Sequence, residues 1–229
     1  MEALEVTRTT FNPKVQWWTD ANWLGKYDRY LQPDKRAAQD HHRILDRRFT
    51  LQSFAASVQH LQGATAECGV HRGTGSALIC ATLQGSYNGE KHYGFDSFEG
   101  LPEGGPNDAS WKKGQLAVPL EVARKNLSEF AELCVLIAGW IPDTFTTVSD
   151  KRFRLVHVDV DLEVPTRQSL EYFYPRATDG ALFIIDDYGF HSCPGARQAT
   201  QEFLAGRPET LIELTTGQAV FYKRGSACS

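Results

Sequence analysis

Residues 153–159 read FRLVHVD, and residues 181–186 read ALFIID. Each stretch is a short apolar run that ends in an aspartate. Each is followed by a segment with helical periodicity, one reaching Phe173 and the other running from Pro194 to Leu204. A buried strand followed by a helix is the unit that builds a parallel sheet covered on both faces. The two stretches therefore predict an α/β fold.

The same alternation extends towards both ends of the chain. The further predicted elements are strands at residues 64–69, 91–96, 133–138, 210–214 and 218–223, and a helix over residues 73–83. The last two strands are joined by a short turn containing Thr-Gly, which requires an antiparallel pair. The sequence thus predicts a mostly parallel, seven-stranded sheet with an antiparallel C-terminal strand.

The first sixty residues do not follow this pattern. A charged, helix-favouring stretch runs from Lys35 to Arg48, and apolar residues then recur at helical spacing up to Val58. We predict that residues 1–60 form a helical N-terminal segment, either a structural cap or a lid over the substrate. The sheet is then contained in a domain of residues 61–229.

Composition limits the classes of function. The 229 residues carry a formal net charge of −4 at pH 7, so no broad basic surface for nucleic acid is expected. No apolar run approaches the length of a membrane span, and the N-terminus lacks the features of a signal peptide. The five cysteines have no C-x-x-C spacing, which argues against a disulfide framework and a zinc knuckle. We expect a cytoplasmic enzyme that binds neither nucleic acid nor membrane.

The loop after the first predicted strand reads ECGVHRGTGS at residues 67–76. Its glycines allow close approach to a ligand, although their spacing is not G-x-G-x-x-G. Asp96 ends the next strand, where a carboxylate can accept hydrogen bonds from a ribose diol. Together they favour a nucleoside cofactor, and Glu67 suits a cationic, phosphate-free one such as S-adenosylmethionine. The structural alternatives are an ordinary strand-to-helix turn and a capping aspartate.

Four carboxylates are predicted to meet at the ends of two neighbouring strands. Asp159 and Asp161 follow the fourth strand, and Asp186 and Asp187 follow the fifth. No lysine or arginine of either motif lies near these ends, so we expect the negative charges to be uncompensated. A divalent cation, most simply Mg²⁺, would compensate them and lower the pKa of a bound diol hydroxyl. Helix capping by Asp161 and Asp187 is the structural alternative.

The chain resembles the macrocin O-methyltransferase family, whose members methylate sugar hydroxyls of antibiotics. The matching stretches, in family order, are ECGVHRG at 67–73, FDSFEGLP at 95–102, GWIPDT at 139–144, HVDVD at 157–161, IIDDY at 184–188 and CPGARQA at 193–199. The resemblance implies that residues 61–229 form a class I methyltransferase domain with a Rossmann-like sheet. It also implies S-adenosylmethionine as the methyl donor and Mg²⁺ as the metal.

The resemblance assigns roles to individual residues. It implies metal ligands at Asp159, Asp186 and Asp187, a general base at Asp161, and a ribose contact at Asp96. Asp159 counts as catalytic together with Asp161. The residues predicted to bind the cofactor are Glu67, Gly69, Arg72, Ser76, Asp96, Ser97, Ala138, Gly139 and Trp140. For Trp140, contact with adenine and packing in the core are both open.

The expected acceptor is a small molecule, at family level a sugar or polyol of a natural product, with a phenol or an amine as alternatives. A homo-oligomer is possible. Two other classes of function are considered. A nicotinamide-dependent oxidoreductase is disfavoured because the chain lacks G-x-G-x-x-G and a Tyr-x-x-x-Lys pair. A non-catalytic binding module on the same fold is disfavoured by the intact acidic cluster.

Overall fold

Helices and strands follow one another in the predicted order. The computed structural model describes Gly25, Tyr27 and residues 41–84 and 89–225. Its helices are α1 (His41–Ser57), α2 (Thr74–Leu83), α3 (Leu120–Asn126), α4 (Glu163–Phe173) and α5 (Pro194–Leu204). Its strands are β1 (Ala64–Cys68), β2 (His92–Asp96), β3 (Cys134–Ala138), β4 (Phe153–Val158), β5 (Ala177–Ile185), β6 (Ile212–Glu213) and β7 (Ala219–Tyr222).

The seven strands form one sheet in the order β3-β2-β1-β4-β5-β7-β6. The first five strands are mutually parallel, and β7 runs antiparallel to both of its neighbours. This confirms the predicted mostly parallel sheet with an antiparallel C-terminal strand. The strand order reverses between β1 and β4, and ligands of such sheets bind beyond the carboxyl ends at this position.

Two hydrophobic clusters cover the two faces of the sheet. On one face, Leu51 of α1 and Leu78 of α2 pack with alternate residues of β4 and β5. On the other, Phe173 of α4 lies at the centre of an aromatic group, with ring centroids 4.8 Å from Phe145 and 4.9 Å from Phe153. Strands buried on both faces have nearly continuous apolar sequences, which explains why β4 and β5 were recognisable.

Helix α1 is the described part of the N-terminal segment. It buries Leu51 and Ala55 against the core, as the apolar spacing predicts, and it contacts α2. The prediction of a helical segment over residues 1–60 otherwise falls mostly outside the described residues. Among the described helices, none has the length and apolar character that a membrane span needs.

Four of the five cysteines are buried thiols without a disulfide partner: Cys68, Cys80, Cys134 and Cys193. Burial raises the pKa of Cys68 to about 12, and a hydrogen bond from Ser169 offsets this only in part. These cysteines therefore behave as small apolar side chains, as their apolar sequence neighbourhoods predict. Cys228 lies outside the described residues.

Candidate active site

A cavity of about 500 Å³ opens at the carboxyl edge of the parallel strands. The residues that follow each strand end line it: Gly69 after β1, Asp96 at β2, Gly139 after β3, Asp159 after β4 and Asp187 after β5. The long loop between β2 and α3 adds Gly100, Leu101, Pro102, Glu103, Asp108 and Leu116. Long loops beside strand ends are often binding loops, and this one lies beside the cavity.

The backbone at Gly69 forms part of the cavity floor. Its φ is +90°, and a Cβ atom there would lie 1.7 Å from the carbonyl oxygen of Asp159. The ends of β1 and β4 are held together at this point because the Asp159 N–H donates to the Cys68 carbonyl at 2.8 Å. Only glycine fits, and the missing side chain lets a ligand approach the backbone.

Asp96 is held rigidly at the end of β2. Its Oδ2 accepts a hydrogen bond from the His71 N–H at 2.8 Å, and its Oδ1 accepts one from the Phe98 N–H at 2.7 Å. Both donors belong to residues with positive φ, 50° for His71 and 58° for Phe98, so the loops bend towards the carboxylate. Each carboxylate oxygen can accept a further hydrogen bond. Asp96 can therefore accept both hydroxyls of a ribose diol.

The structure separates the predicted cofactor residues into two groups. Five line the cavity: Gly69, Asp96, Ser97, Gly139 and Trp140. Trp140 is 37% exposed, so packing in the core is the wrong alternative for this side chain. The other four are absent from the cavity lining: Glu67, Arg72, Ser76 and Ala138.

Glu67 and Ser76 lie beneath the cavity, in a buried polar network. The Ser76 hydroxyl donates to Glu67 Oε2, and Glu67 Oε1 lies 2.8 Å from His157 Nδ1. Gly75 makes room for this carboxylate, because a Cβ atom there would lie 2.0 Å from Glu67 Oε1. The expectation that Glu67 faces a cationic cofactor does not match its position: it is 1% exposed and its buried partners turn it inward.

His92 lies at the far end of this network. Its Nδ1 is 2.8 Å from the Thr65 hydroxyl and its Nε2 is 3.0 Å from the Ser76 hydroxyl. Burial lowers the pKa of His92 from 6.5 to about 4. The folded protein therefore binds fewer protons than the unfolded chain between these pH values, and its stability falls as the pH falls through this window.

We expect His92 to contribute about 3 kcal/mol to the loss of stability between about pH 7 and about pH 4. The variant His92→Gln keeps polar atoms but cannot titrate, so its free energy of unfolding should fall less steeply with pH. Urea unfolding of both proteins across this range measures the difference. Parallel pH profiles for the two proteins would contradict the prediction.

The four carboxylates of the β4 and β5 ends converge. Oxygen atoms of Asp159 and Asp186 and a ring nitrogen of His157 all lie within 4.8 Å of one another. Oxygen atoms of Asp161 and Asp187 approach equally closely, beside the thiol of Cys193. Asp159, Asp161 and Asp187 line the cavity, whereas Asp186 is fully buried behind them.

Two arginines of α1 reach this cluster. Arg47 contacts Asp186 and lies 3.4 Å from Asp187, and Arg48 lies 3.5 Å from Asp159. The expectation that no basic residue compensates the carboxylates is therefore wrong. The arginines come from a helix more than one hundred residues away in sequence, so the two aspartate motifs gave no sign of them. Four carboxylates face two guanidinium groups, which leaves a formal excess of two negative charges.

The carboxylates differ in their electrostatic environment. Burial alone would raise the pKa of Asp159, but Arg48, His157 and Arg47 together hold it below its usual value. Burial raises the pKa of Asp187 to about 6, and the Asp159 charge adds to this shift. Burial and the charges of Asp187 and Asp159 raise the pKa of Asp161 well above its usual range. Of these groups, Asp161 is therefore suited to accept a proton.

The backbone of Asp161 is unusual. Its φ is +60°, its N–H donates to Asp187 Oδ2 at 3.0 Å, and its Oδ1 accepts from the Cys193 thiol at 3.6 Å. Non-glycine residues in the left-handed region are concentrated at functional sites. Helix capping, the alternative considered for Asp161 and Asp187, does not describe this geometry, because Leu162 precedes α4 and Asp187 contacts Asp161 and Arg47.

Comparisons with known proteins identify the family of the chain. The sequence model of the macrocin-O-methyltransferase (TylF) family matches residues 29–224. A tetracenomycin-C rhamnosyl 4'-O-methyltransferase of Streptomyces olivaceus is 31% identical over 179 residues, covering 72% of this chain and 67% of the relative. The mycinamicin III 3''-O-methyltransferase of Micromonospora griseorubida is 28% identical over 181 residues, covering 72% and 69%.

Solved structures share the fold. The O-methyltransferase NovP superposes with a TM-score of 0.70 at 23% identity, covering 78% of this chain and 80% of that chain. The calicheamicin methyltransferase CalS11 superposes with a TM-score of 0.64 at 22% identity, covering 88% and 93%. The chain belongs to the macrocin-O-methyltransferase (TylF) family and is an S-adenosylmethionine-dependent methyltransferase.

Proposed function

We propose that the chain transfers a methyl group from S-adenosylmethionine to a hydroxyl of a sugar or polyol moiety of a natural product, and that the reaction requires a divalent cation. The observation that carries this proposal is the convergence of four carboxylates at the cavity that Asp96 also lines, three of them facing the cavity and Asp186 buried behind them. The names of the two curated relatives support the choice of acceptor, since one acts on a rhamnosyl-tetracenomycin and the other on a mycinamicin.

The β1–β3 side of the cavity would hold the methyl donor. Asp96 can accept the ribose hydroxyls, and the bare backbone at Gly69 permits close approach of the methionine part. Gly139 and the half-exposed Trp140 follow β3, at a position suited to contact with the adenine ring. These residues leave the β4–β5 side of the cavity for the acceptor.

The carboxylate cluster fits a hard divalent cation. Its donors are all oxygen atoms, which Mg²⁺ prefers. Asp186 Oδ2 is buried, accepts no hydrogen bond from the described residues and forms an ion pair with the Arg47 guanidinium. The two negative charges that the arginines leave in excess equal the charge of one such ion. Asp159, Asp186 and Asp187 would be its ligands, and a bound cation would lower the pKa of a hydroxyl beside it.

The chain's own residues position the reactants and accept the proton. Asp161 lines the cavity, and its backbone N–H donates to the Asp187 carboxylate at 3.0 Å, which fixes its position. The acceptor oxygen forms the new bond to the methyl carbon, the sulfur–methyl bond breaks, and the donor leaves as the neutral thioether. The hydroxyl proton goes to Asp161 and then to solvent. Catalysis consists mainly of positioning the two substrates in line.

We also propose that residues 1–60 act as a lid on the methyltransferase domain of residues 61–229. Support comes from α1, because its Arg47 and Arg48 line the cavity and contact the carboxylates. A purely structural cap would have no reason to place two guanidinium groups in the active site. The Arg47 side chain also stacks on Phe190, at 4.4 Å from the ring centroid, so α1 is anchored beside the site.

Removal of metal tests the proposal. We expect treatment with EDTA to lower the rate of methyl transfer to a rhamnosyl or related glycoside acceptor by about a hundredfold or more, and added Mg²⁺ to restore it. Methyl transfer is measured as S-adenosylhomocysteine formed. Calorimetry with S-adenosylmethionine, with and without EDTA, is the control, because Asp96 and Gly69 should bind the donor in both conditions. Full activity in EDTA would refute the metal requirement.

A further inference from the structure

His157 connects two buried carboxylates. Its Nδ1 lies 2.8 Å from Glu67 Oε1, and its Nε2 lies 3.2 Å from Asp186 Oδ1. All three side chains are at most 1% exposed. Glu67 on β1 and His157 on β4 are register partners in the parallel sheet, so their contact is fixed by strand pairing. The three residues form a continuous line of contacts from Glu67, near the end of β1, to the carboxylate cluster.

The line ends on one particular oxygen of Asp186. Asp186 Oδ1 accepts from His157 Nε2 and from Gln218 Nε2, the latter at 2.5 Å. Asp186 Oδ2 accepts no hydrogen bond and points at the Arg47 guanidinium. Two donors therefore fix the orientation of the carboxylate through Oδ1, and Oδ2 stays beside Arg47 without a hydrogen bond.

Packing alone does not explain a histidine at this position. A buried imidazole between two carboxylates costs more to desolvate than an apolar side chain, and the other buried residues of β4 include Leu155, Val156 and Val158. Strand β4 could bury valine or leucine here without any polar partner. The polar contacts must therefore serve the position of Asp186, since that is the group of the line that belongs to the active site.

We propose that His157 is a positioning residue, which holds Asp186 in the orientation that binds the divalent cation, and that Glu67 orients the imidazole in turn. This rests on the proposed function, because Asp186 is a ligand only if the reaction uses a metal. Side chains that orient metal ligands typically change metal affinity by about 10- to 100-fold when they are removed. The role also explains why Glu67, at the end of β1, faces away from the cavity.

Two amide substitutions separate this role from packing. The carboxamide of glutamine reaches the position of the imidazole Nε2, and that of asparagine reaches only the position of Nδ1. His157→Gln can therefore still donate to Asp186, whereas His157→Asn can contact Glu67 only. We expect Mg²⁺ to bind about 10- to 100-fold more weakly to His157→Asn and within about threefold of wild type to His157→Gln. Isothermal titration calorimetry measures both dissociation constants, and S-adenosylmethionine affinity should not change.

His92→Gln is the matched control, since His92 is equally buried and belongs to the same network but contacts Thr65 and Ser76 instead of Asp186. Its Mg²⁺ affinity should equal that of wild type. Wild-type affinity in His157→Asn, or equal weakening in all three variants, would overturn the proposal. If His157→Asn does not fold, Glu67→Gln takes its place: it should weaken Mg²⁺ binding at least about threefold, and unchanged binding would overturn the role. A wild-type protein that binds no Mg²⁺ would instead overturn the proposed function.

Discussion

Substitution of Asp159 by asparagine is expected to abolish measurable Mg²⁺ binding and to lower the turnover number by about a thousandfold. The neutral amide removes one of the three proposed ligands and one negative charge from the cluster. The fold should survive, because the Asp159 side chain is 20% exposed and its ion pair with Arg48 spans 3.5 Å. Calorimetry and an assay of S-adenosylhomocysteine formation measure the two effects.

Asp161→Asn separates the base from the ligands. Asp161 is the proposed proton acceptor, so this variant should lose about 10²- to 10⁴-fold in turnover while it still binds Mg²⁺ and S-adenosylmethionine. Asp150→Asn is the control, since Asp150 is exposed and pairs with the neighbouring Lys151. Wild-type turnover in Asp159→Asn would contradict the metal site, and wild-type turnover in Asp161→Asn would contradict the assignment of the base.

The fold could be predicted from the sequence because the central strands are buried on both faces. Strand β4 is an apolar run whose end is marked by Asp159, and β5 has the same form with Asp186. The start of β5 was predicted at residue 181, whereas the strand begins at Ala177, since the segment 178–180 is polar and contains a glycine. Family membership also sets aside the oxidoreductase and the non-catalytic module as descriptions of the chain.

The electrostatics of the site were only half predictable. Sequence order reveals which residues end each strand, so the convergence of the carboxylates could be inferred from the parallel sheet alone. It does not reveal which distant helix packs over those ends, and Arg47 and Arg48 were missed for this reason. The sequence did contain one indication of these contacts. Arg47 and Arg48 are adjacent and lie on α1, the helix that buries Leu51 in the core.

The direction of the Glu67 side chain could not be predicted from the sequence either. A carboxylate at the end of a central parallel strand can point to a ligand or turn into the core, and its buried partners decide between the two. Here, the Ser76 hydroxyl donates to Glu67 from the inner side, and His157 Nδ1 lies 2.8 Å from Glu67 Oε1. Those partners lie nine and ninety residues away, so only the tertiary structure brings them together. A motif at a strand end therefore identifies the region of the site, but not which of its side chains contact the ligand.

Substitution of Gly69 by alanine is expected to destabilise the fold by about 2–5 kcal/mol and to impair binding of both S-adenosylmethionine and Mg²⁺. Two costs combine. A φ of +90° is unfavourable for a residue with a Cβ atom, at about 1–2 kcal/mol, and the overlap with the Asp159 carbonyl oxygen forces a backbone shift of about 1–3 kcal/mol or more. The shift acts on Asp159, so the end of β4 should move away from the other carboxylates.

Gly206→Ala carries only the first cost, because Gly206 has a φ of +77° and no described atom lies within 4 Å of its would-be Cβ. Its comparison with Gly69→Ala therefore isolates the second. The Gly206→Ala variant should lose only about 1–2 kcal/mol and should bind both ligands as wild type does. Urea unfolding gives the two free energies, and calorimetry gives the affinities. The difference between the variants measures how tightly the ends of β1 and β4 are joined beneath the cavity. Equal stabilities would mean that the backbone at Asp159 can shift at no measurable cost in free energy. A backbone that moves so easily could not hold the carboxylates in position for a metal, which would contradict the proposed site.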